Sequence, residues 1–256
     1  MKPIYKWPGG KNKEINNIEK YFPEKFSIYI EPFFGGGAIY FYLNFNNNII
    51  NDLNNELTLF LNLMKNGKRE EIYNRLKDYK NEENFYYYVR NGFEVKDEID
   101  IATRFFYLRK TCFRGLVRYN KSGKFNVPFG NYKRFTFEEL LNDDYLSILK
   151  NTKILNKDFS LIFNEFDNED YFYFLDPPYH NTFSEYNSVG FDKKAHIILS
   201  ELFKKSKSKC LMVIGETDFI IDLYKDYIVD KYSKKYSITN FKKEIPNSFH
   251  LIIKNF

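Results

Sequence analysis

The chain has 256 residues, of which 43% are hydrophobic and 20% aromatic, and its formal net charge is +5 at pH 7. This length can bury a substantial core, and the aromatic content excludes an intrinsically disordered chain. No apolar run approaches membrane-spanning length and no signal-peptide core opens the chain, so we expect a cytoplasmic protein without membrane contact. Two cysteines, Cys112 and Cys210, are too few for a disulfide scaffold, and with three scattered histidines they give no metal-ligand spacing.

The positive charge is concentrated in one segment. Nine of the 39 Lys and Arg residues lie between Ile101 and Phe137, and this segment contains no acidic residue. Elsewhere in the chain, 30 basic residues are outnumbered by 34 acidic ones. Such a concentration of one sign is typical of a protein that binds a polyanion.

The first predicted element follows a glycine loop. Residues Lys6 to Lys11 read Lys-Trp-Pro-Gly-Gly-Lys, and Ile15, Ile18 and Phe22 follow at helical spacing. Backbone N–H groups and a lysine at the start of a helix suit a carboxylate or a phosphate. In isolation, however, the loop is better explained as an N-terminal arm with a glycine turn.

A predicted strand over Phe26 to Ile30 leads into the glycine turn Glu31-Pro32-Phe33-Phe34-Gly35-Gly36-Gly37, and a short apolar helix follows over Ala38 to Leu43. Strand, glycine turn and helix are typical of the entry to a nucleotide site, because glycines let a ligand approach the backbone closely. The spacing differs from GxGxxG, which disfavours a dinucleotide.

A second predicted strand, Asn47 to Asn51, ends at Asp52. An acid at the tip of this strand is placed to accept hydrogen bonds from ribose hydroxyls. Asp52 can equally be an N-cap, since Asn54 and Glu56 begin a helix that extends to about Met64. Both interpretations stay open at this point.

From Leu57 to about Asn151 the strand pattern lapses and amphipathic helical stretches dominate. At the end of this segment, Thr111 to Lys133 alternate basic and aromatic residues across a predicted hairpin, with its turn at Lys121 to Gly123. Arg can bond a guanine edge, Lys and Arg neutralise phosphates, and aromatic or Leu side chains can wedge into a base stack. A solvated charged hairpin is the alternative, but such faces usually mix signs and this one does not.

Strands return after the helical segment. Lys153 to Leu155 form a short strand that ends near Asp158-Phe159, and Tyr171 to Leu175 read as a strand buried on both faces. A helix over 193–205 and strands over 210–214, 227–230 and 249–253 complete the pattern. The alternation predicts an α/β fold with a doubly wound, mostly parallel sheet. We predict one domain over 1–56 and 152–256, and an inserted, mainly helical domain over 57–151 that carries the basic hairpin.

The buried strand is followed directly by Asp176-Pro177-Pro178-Tyr179. The prolines cannot donate to a ladder and bias the preceding residue away from helix, so Asp176 is held extended at the carboxyl end of the strand, where α/β sheets bind ligands. The Asp176 carboxylate, the Pro177 carbonyl and the Tyr179 ring can together grip a flat ring that bears an amino group. A proline-rich turn with a surface aspartate is the alternative.

Five motifs follow one another across nearly the whole chain: Lys6 to Lys11, Glu31 to Gly37, Asn51 to Asn54, Arg118-Tyr119-Asn120 with Phe125 to Gly130, and Asp176 to Tyr179. Together they resemble the Dam-like, alpha-group DNA N6-adenine methyltransferases. The resemblance implies a site-specific enzyme that transfers a methyl group from S-adenosyl-L-methionine (SAM) to the N6 amino group of an adenine flipped out of double-stranded DNA. It also implies a Rossmann-like methyltransferase sheet, a target-recognition role for 57–151, S-adenosyl-L-homocysteine as product, and no metal.

The resemblance also implies a role for each motif. Trp7 and Lys11 would hold the methionine part of SAM, Asp52 its ribose, and Asp158 with Phe159 would lie near its adenine. The glycine turn would lie beneath SAM, with Glu31, Phe33, Gly35 and Gly37 as the binding residues. Asp176 and the Pro177 carbonyl would accept the amino hydrogens of the target adenine while Tyr179 stacks on its ring.

From the hairpin and the helix before it we expect eleven DNA-binding residues: Arg109, Phe113, Arg114, Leu116, Arg118, Tyr119, Asn120, Lys124, Asn126, Pro128 and Lys133. Family members that read GATC typically have Asn where this chain has Arg114, beside an aromatic residue that matches Phe113. Arg118 matches the arginine that reads a guanine in those enzymes. We therefore expect a short site with an adenine and at least one guanine, which leaves GATC and other sites open.

Three alternatives differ in substrate or class. Methylation of cytosine N4 more often goes with Ser in place of Asp176, and an RNA substrate fits the basic hairpin less well than duplex DNA. A DNA-binding protein without activity would have no reason to keep both Asp-Pro-Pro-Tyr and the glycine turn. We expect a monomer, and the sequence leaves open whether a restriction endonuclease accompanies the protein.

Overall fold

A computed structural model of the protein describes residues 1–120, 122–180, 191–234 and 248–256. The described strands form one seven-stranded sheet: β1 (Ile28–Glu31), β2 (Asn48–Asn51), β3 (Thr152–Leu155), β4 (Tyr171–Leu175), β5 (Lys209–Gly215), β6 (Ile228–Lys234) and β7 (Ser248–Lys254). The α-helices of the described residues are α1 (Ile15–Ile18), α2 (Ala38–Leu43), α3 (Asn55–Lys65), α4 (Arg69–Leu76), α5 (Glu83–Asn91), α6 (Glu98–Thr111), α7 (Asp143–Lys150), α8 (Phe159–Glu165), α9 (Lys193–Lys205) and α10 (Asp218–Tyr224).

The strands lie in the order β3-β2-β1-β4-β5-β7-β6. The first five are mutually parallel, and β7 runs antiparallel between β5 and β6. The chain starts at β1 in the middle of the sheet, moves outward to β3, and then crosses back to β4. This reversal makes the boundary between β1 and β4 a topological switch point, where ligands bind in sheets of this kind.

Successive residues of β4 pack on opposite faces of the sheet. Phe172 and Phe174 belong to a core cluster shared with helices α3 to α7, whereas Tyr173 and Leu175 belong to a second cluster shared with α8 to α10. All four side chains are at most 1% exposed. Helices therefore cover both faces of the sheet, which confirms the predicted doubly wound, mostly parallel α/β fold.

The helical segment between β2 and β3 packs on one face of this sheet. Phe60 of α3, Ile72 of α4, Tyr86 of α5 and Phe106 of α6 are fully buried in the same cluster as Phe172 of β4. Residues 57–151 thus share a continuous hydrophobic core with the sheet. Their assignment as a separate recognition domain stays a prediction.

The structure departs from the sequence prediction at the N-terminus. The helical pattern after the glycine loop resolves into α1, which has four residues, between short 3-10 turns at Lys11–Lys13 and Glu19–Tyr21. Asn12, Asn16 and Asn17 have low helix propensity, which limits helix length here.

The predicted hairpin is present but irregular. Its arms are joined by isolated antiparallel bridges, Tyr119 to Phe125 and Cys112 to Phe129, and not by a continuous ladder. The Asn120 side chain accepts hydrogen bonds from the N–H groups of Ser122 and Lys124. Lys121, which belongs to the predicted turn, lies outside the described residues.

No described helix combines the length and apolar character that a membrane span requires.

Candidate active site

A cavity of about 1150 Å³ opens at the carboxyl ends of the parallel strands. The residue or turn that follows each of β1 to β5 lines it: the glycine turn after β1, Asp52 after β2, Asp158 after β3, Asp176 after β4 and Glu216 after β5. The fold thus gathers the predicted cofactor and catalytic motifs around one space.

Asp52 braces the glycine turn. Its Oδ2 accepts a hydrogen bond from the Gly35 N–H at 2.8 Å, and its Oδ1 accepts one from the Asn54 N–H at 2.8 Å. Burial raises the pKa of Asp52, and these two N–H groups oppose the rise. The N-cap of α3 is Asn54, whose side chain accepts from the Leu57 N–H. Of the two interpretations of Asp52, the N-cap is therefore wrong, and the ribose role stays a prediction.

Trp7 lies against the glycine turn. Gly35 has a φ of +49°, and a Cβ at this position would lie 2.7 Å from the indole Nε1 of Trp7. The Tyr5 hydroxyl donates a hydrogen bond to the Gly35 carbonyl at 2.9 Å, which holds the turn in place. Only glycine combines this backbone conformation with the close approach of the indole. Gly37, at the N-terminus of α2, also lines the cavity.

Three aromatic rings line another wall. Phe33, Phe159 and Phe191 have pairwise centroid distances of 5.4 Å, and Phe159 is 6% exposed. Beside them, Asp158 caps α8 by accepting from the Ser160 N–H at 2.9 Å. A flat ring can pack against this apolar wall. Phe191 carries no motif and was missed by the sequence analysis.

Asp176 is paired with Lys11 inside the cavity. The Lys11 ammonium lies 2.6 Å from Asp176 Oδ2, and it also donates to the Gly9 carbonyl at 2.9 Å. Lys11 is 2% exposed and Asp176 22%. Burial raises the pKa of Asp176, and Lys11 opposes this rise by favouring the carboxylate.

Glu31 is a second buried acid at the cavity. It is 3% exposed, and its Oε2 accepts from the Tyr29 hydroxyl at 2.8 Å. Burial raises its pKa, and the negative charge of Asp176 adds to the rise. The cavity therefore combines acidic groups with aromatic walls, a combination that suits a cationic ligand with a flat ring.

Leu116, Arg118 and Tyr119 of the hairpin line the mouth of the same cavity. The Arg118 Nε donates to Asn126 Oδ1 at 2.8 Å, and its terminal nitrogen donates to the Asn126 carbonyl at 3.0 Å. Asn126 therefore holds the Arg118 guanidinium in place. The hairpin therefore brings Arg118 to the rim of the cavity.

The remaining hairpin residues differ in exposure. Phe113 and Asn126 are half-buried, and the exposed positions are Arg114, Asn120, Lys124, Pro128 and Lys133. Arg109 is the exception, because it is 2% exposed and its guanidinium lies over the rings of Phe125 and Trp7, at 4.4 Å and 5.9 Å from their centroids. The expected DNA contact of Arg109 is therefore not supported, since its side chain packs beneath the hairpin.

The arrangement of these motifs agrees with the comparisons to known proteins. A family profile described as D12 class N6 adenine-specific DNA methyltransferase matches residues 7–240. The chain belongs to this family. It is thus an adenine-specific DNA methyltransferase, an enzyme class that uses SAM as methyl donor. Among the described residues, no group of three or more His, Cys, Asp or Glu side chains is arranged to hold a metal ion.

Several curated proteins resemble this methyltransferase over most of their length. The Type II methyltransferase M.CviBI of Paramecium bursaria Chlorella virus NC1A is 47% identical and is matched over 100% of both chains. The Type II methyltransferase M.MjaIII of Methanocaldococcus jannaschii is 35% identical over 96% of this chain and 91% of its own. A DNA adenine methylase of Haemophilus influenzae is 32% identical over 87% of this chain and 82% of its own.

We predict that Gly35→Ala weakens SAM binding by this methyltransferase at least about tenfold, or about 1.4 kcal/mol. The added Cβ must displace the Trp7 indole, which would lie 2.7 Å away. Isothermal titration calorimetry measures the affinity. Gly67→Ala is the control, because Gly67 has a φ of +80° with no atom near its Cβ position, so it adds backbone strain without the clash. Equal affinities of the two variants would contradict the prediction.

We predict that Lys11→Met moves the acid limb of the pH–rate profile to higher pH. The role that the resemblance implies for Asp176 is to accept a hydrogen bond from the amino group of the target adenine, which requires an ionised carboxylate. The loss of the ammonium 2.6 Å away raises the pKa of this carboxyl further above the usual value. Activity then falls as the pH drops through this raised pKa. Single-turnover rates at saturating SAM, from roughly pH 5 to 9, measure the shift. The control is Lys13→Met, because Lys13 is an exposed neighbour of Lys11. An unshifted pH–rate profile of Lys11→Met would refute the role of Lys11 in favouring the ionised form of Asp176.

Proposed function

We propose that the enzyme binds SAM along the glycine turn and receives the target adenine at Asp176-Pro177-Pro178-Tyr179. The observation that carries the proposal is the paired carboxylate of Asp176 in the same cavity as the glycine turn, with Tyr179 beside it. The whole sequence Asp176 to Tyr179 lines this cavity. A surface aspartate in a plain turn would have neither the burial nor the partner.

The residues of the cavity fit SAM. The missing Cβ of Gly35 lets the Trp7 indole lie against the glycine turn at the edge of the cavity, and Asp52 would accept hydrogen bonds from the ribose hydroxyls. Phe33, Phe159 and Asp158 form a wall suited to an adenine ring, and the Asp176 carboxylate, paired with Lys11, supplies negative charge to the cavity. SAM, when bound, supplies an electrophilic methyl group and leaves as S-adenosyl-L-homocysteine.

The protein's own groups act on the amino group of the target base. Its lone pair is conjugated with the ring, so it is a poor nucleophile. Asp176 and the Pro177 carbonyl accept hydrogen bonds from the two amino hydrogens, draw the nitrogen toward tetrahedral geometry and offset the positive charge that develops on it. The methylated nitrogen then gives up its surplus proton, which Asp176 accepts and releases to solvent. Tyr179 stacks on the ring and fixes the line of approach. Lys11 favours the ionised form of the half-buried Asp176.

The substrate that we propose is a short site in double-stranded DNA, from which the adenine is flipped into the cavity. The exposed basic residues of the hairpin, Arg114, Lys124 and Lys133, are positioned to contact phosphates or base edges. Arg118 at the rim is the guanine reader that the resemblance implies, and Phe113 and Leu116 supply wedges between bases. Tyr119, Asn120 and Pro128 complete the contact surface.

The family description and the names of the relatives bear on the alternative substrates and on a partner endonuclease. The family description specifies DNA and adenine N6, so no observation favours RNA or cytosine as substrate. M.CviBI and M.MjaIII are named Type II methyltransferases, and by analogy we propose that a restriction endonuclease accompanies this enzyme. A monomeric state stays a prediction.

We predict that Asp176→Ala lowers methyl transfer at least about 100-fold, because one of the two hydrogen-bond acceptors for the amino group is lost. DNA binding should stay measurable. The assay incubates enzyme, SAM and methylation-free genomic DNA, and identifies the nucleosides by mass spectrometry. Asp170→Ala, at the opposite end of β4, is the control. Retained turnover in Asp176→Ala would refute the catalytic role, and a wild-type enzyme that forms no N6-methyladenine would refute the proposed function.

We predict that Arg118→Ala and Lys124→Ala have different effects on specificity. Arg118→Ala relaxes the base preference at one position of the site, at a cost of about 1–3 kcal/mol, because a base contact is lost. Lys124→Ala weakens binding to all sequences alike and reduces the salt dependence, because a phosphate contact is lost. Sequencing of the modified positions and binding at two salt concentrations measure both. The same effect from both variants would contradict this division.

A further inference from the structure

A buried polar cluster lies behind Tyr179, outside the motifs that define the site. It consists of Glu14, Tyr232, Lys234 and His250, and we call it the Glu14 cluster. Glu14 follows the glycine loop, whereas the other three lie on the neighbouring strands β6 and β7. Glu14 and His250 have side chains that are 4% and 2% exposed. The mechanism proposed above assigns no role to any of these four residues.

Glu14 holds the cluster together as an ionised carboxylate. Its Oε2 accepts from the Tyr232 hydroxyl at 2.6 Å and lies 2.7 Å from His250 Nδ1, and its Oε1 is paired with the Lys234 ammonium. Burial alone would raise the pKa of Glu14, but hydrogen bonds from His250, Lys234 and Tyr232 and the charge of Lys11 lower it to about 2. Because an ionised carboxylate can only accept, His250 must carry its proton on Nδ1, and this bond fixes the plane of its ring.

The His250 ring also packs against the ring of Tyr179. The two ring centroids are 5.1 Å apart and the planes are nearly perpendicular, at 87°. His250 is the cross-strand partner of Gly215 on β5, and a Cβ on Gly215 would lie 3.1 Å from the Tyr179 ring. The Tyr179 ring therefore packs over Gly215, the only glycine of β5 and β7 among their described residues. The imidazole of His250 contacts the same ring from the neighbouring strand.

Glu14 also contacts Lys11, through its backbone. The Glu14 N–H donates to the Lys11 carbonyl at 2.7 Å, which closes the turn that carries the ammonium toward Asp176. The Lys11 ammonium in turn lies 5.2 Å from the centroid of the Tyr179 ring. One residue thus connects with both functional groups of the base site. Its side chain reaches Tyr179 through His250, and its backbone N–H reaches Asp176 through Lys11.

We propose that Glu14 and His250 are positioning residues for the target adenine, which hold the Tyr179 ring at a fixed angle beside Asp176. This inference rests on the proposed function of Asp176 and Tyr179. A ring held by neighbours on three sides loses little freedom when a base stacks on it, so the rate of methyl transfer gains from preorganisation. Among the described residues, the ring contacts of His250 are with Tyr179 and Tyr232 and not with the SAM wall formed by Phe33, Phe159 and Phe191, so SAM affinity should not depend on His250.

The test uses the full chain with Glu14→Gln, His250→Ala and Tyr232→Phe variants. The DNA is a duplex containing the site that the wild-type enzyme methylates, in one form with 2-aminopurine in place of the target adenine. Three quantities are measured: the single-turnover rate of methyl transfer, the SAM affinity, and the 2-aminopurine emission of the enzyme–DNA complex. The emission intensity reports how well the flipped base is stacked. If the cluster only stabilised the fold, its variants would leave this emission unchanged in the folded protein.

We expect His250→Ala to lower the single-turnover rate about tenfold or more, while the SAM affinity stays within about twofold of wild type. Emission should rise, because a loosened Tyr179 stacks less well on the base. Glu14→Gln should act in the same direction if it folds, and Tyr232→Phe, which removes one hydrogen bond and keeps the ring, should give a smaller effect of the same sign.

Asp167→Asn is the matched control. Asp167 also accepts several hydrogen bonds, from Ser206, Lys207 and Ser208, and its pKa is also lowered, but it lies before the amino end of β4. The Asp167→Asn variant should have a lower melting temperature, while the methyl-transfer rate and the 2-aminopurine emission of the folded protein stay unchanged. Wild-type rate and emission in His250→Ala and Tyr232→Phe would overturn the positioning role while the proposed function stands. A wild-type enzyme that does not methylate adenine would overturn both.

Discussion

A carboxylate within a cavity remains ionised only if a partner compensates for the water that it loses, and in this protein that partner comes from the far end of the chain. Lys11 and Asp176 are 165 residues apart in sequence, yet their charged atoms lie 2.6 Å apart. The pair ties the glycine loop at the N-terminus to the end of β4, and the cavity is bounded by both. Loss of Asp176 would leave the buried Lys11 ammonium without its carboxylate, and loss of Lys11 would leave the half-buried Asp176 carboxylate without its cation. The site and the N-terminal loop therefore depend on each other.

The sheet topology explains why cofactor and base motifs meet. The chain leaves the sheet after β3 and returns at β4, beside β1, so the glycine turn after β1 and the Asp-Pro-Pro-Tyr turn after β4 end at neighbouring points of one edge. The helical segment that is inserted between β2 and β3 then packs on one face through a shared core. Its hairpin reaches the mouth of the cavity with Leu116, Arg118 and Tyr119. The shared core thus connects the hairpin with the turns that line the cavity.

The hairpin also separates two kinds of arginine that look alike in the sequence. Arg118 lies at the rim, with its guanidinium held by the side-chain and backbone oxygens of Asn126. Arg109, nine positions earlier, packs against Phe125 and Trp7 with 2% exposure. A delocalised guanidinium tolerates such burial against aromatic rings better than an ammonium would. The buried arginine therefore links the hairpin to the indole that covers the glycine turn.

The sequence by itself determined the strands, the glycine turn and the position of Asp176, because alternation, glycine and proline act on the local backbone. It also determined the family, because five motifs occur in register. Only the tertiary structure decided that Asn54 caps α3 while Asp52 braces the turn, that Arg109 is buried, and that Phe191 joins the aromatic wall. It alone brought Glu14 to His250, 236 residues away. Burial and long-range pairing depend on how distant segments pack, which no local pattern of residues encodes.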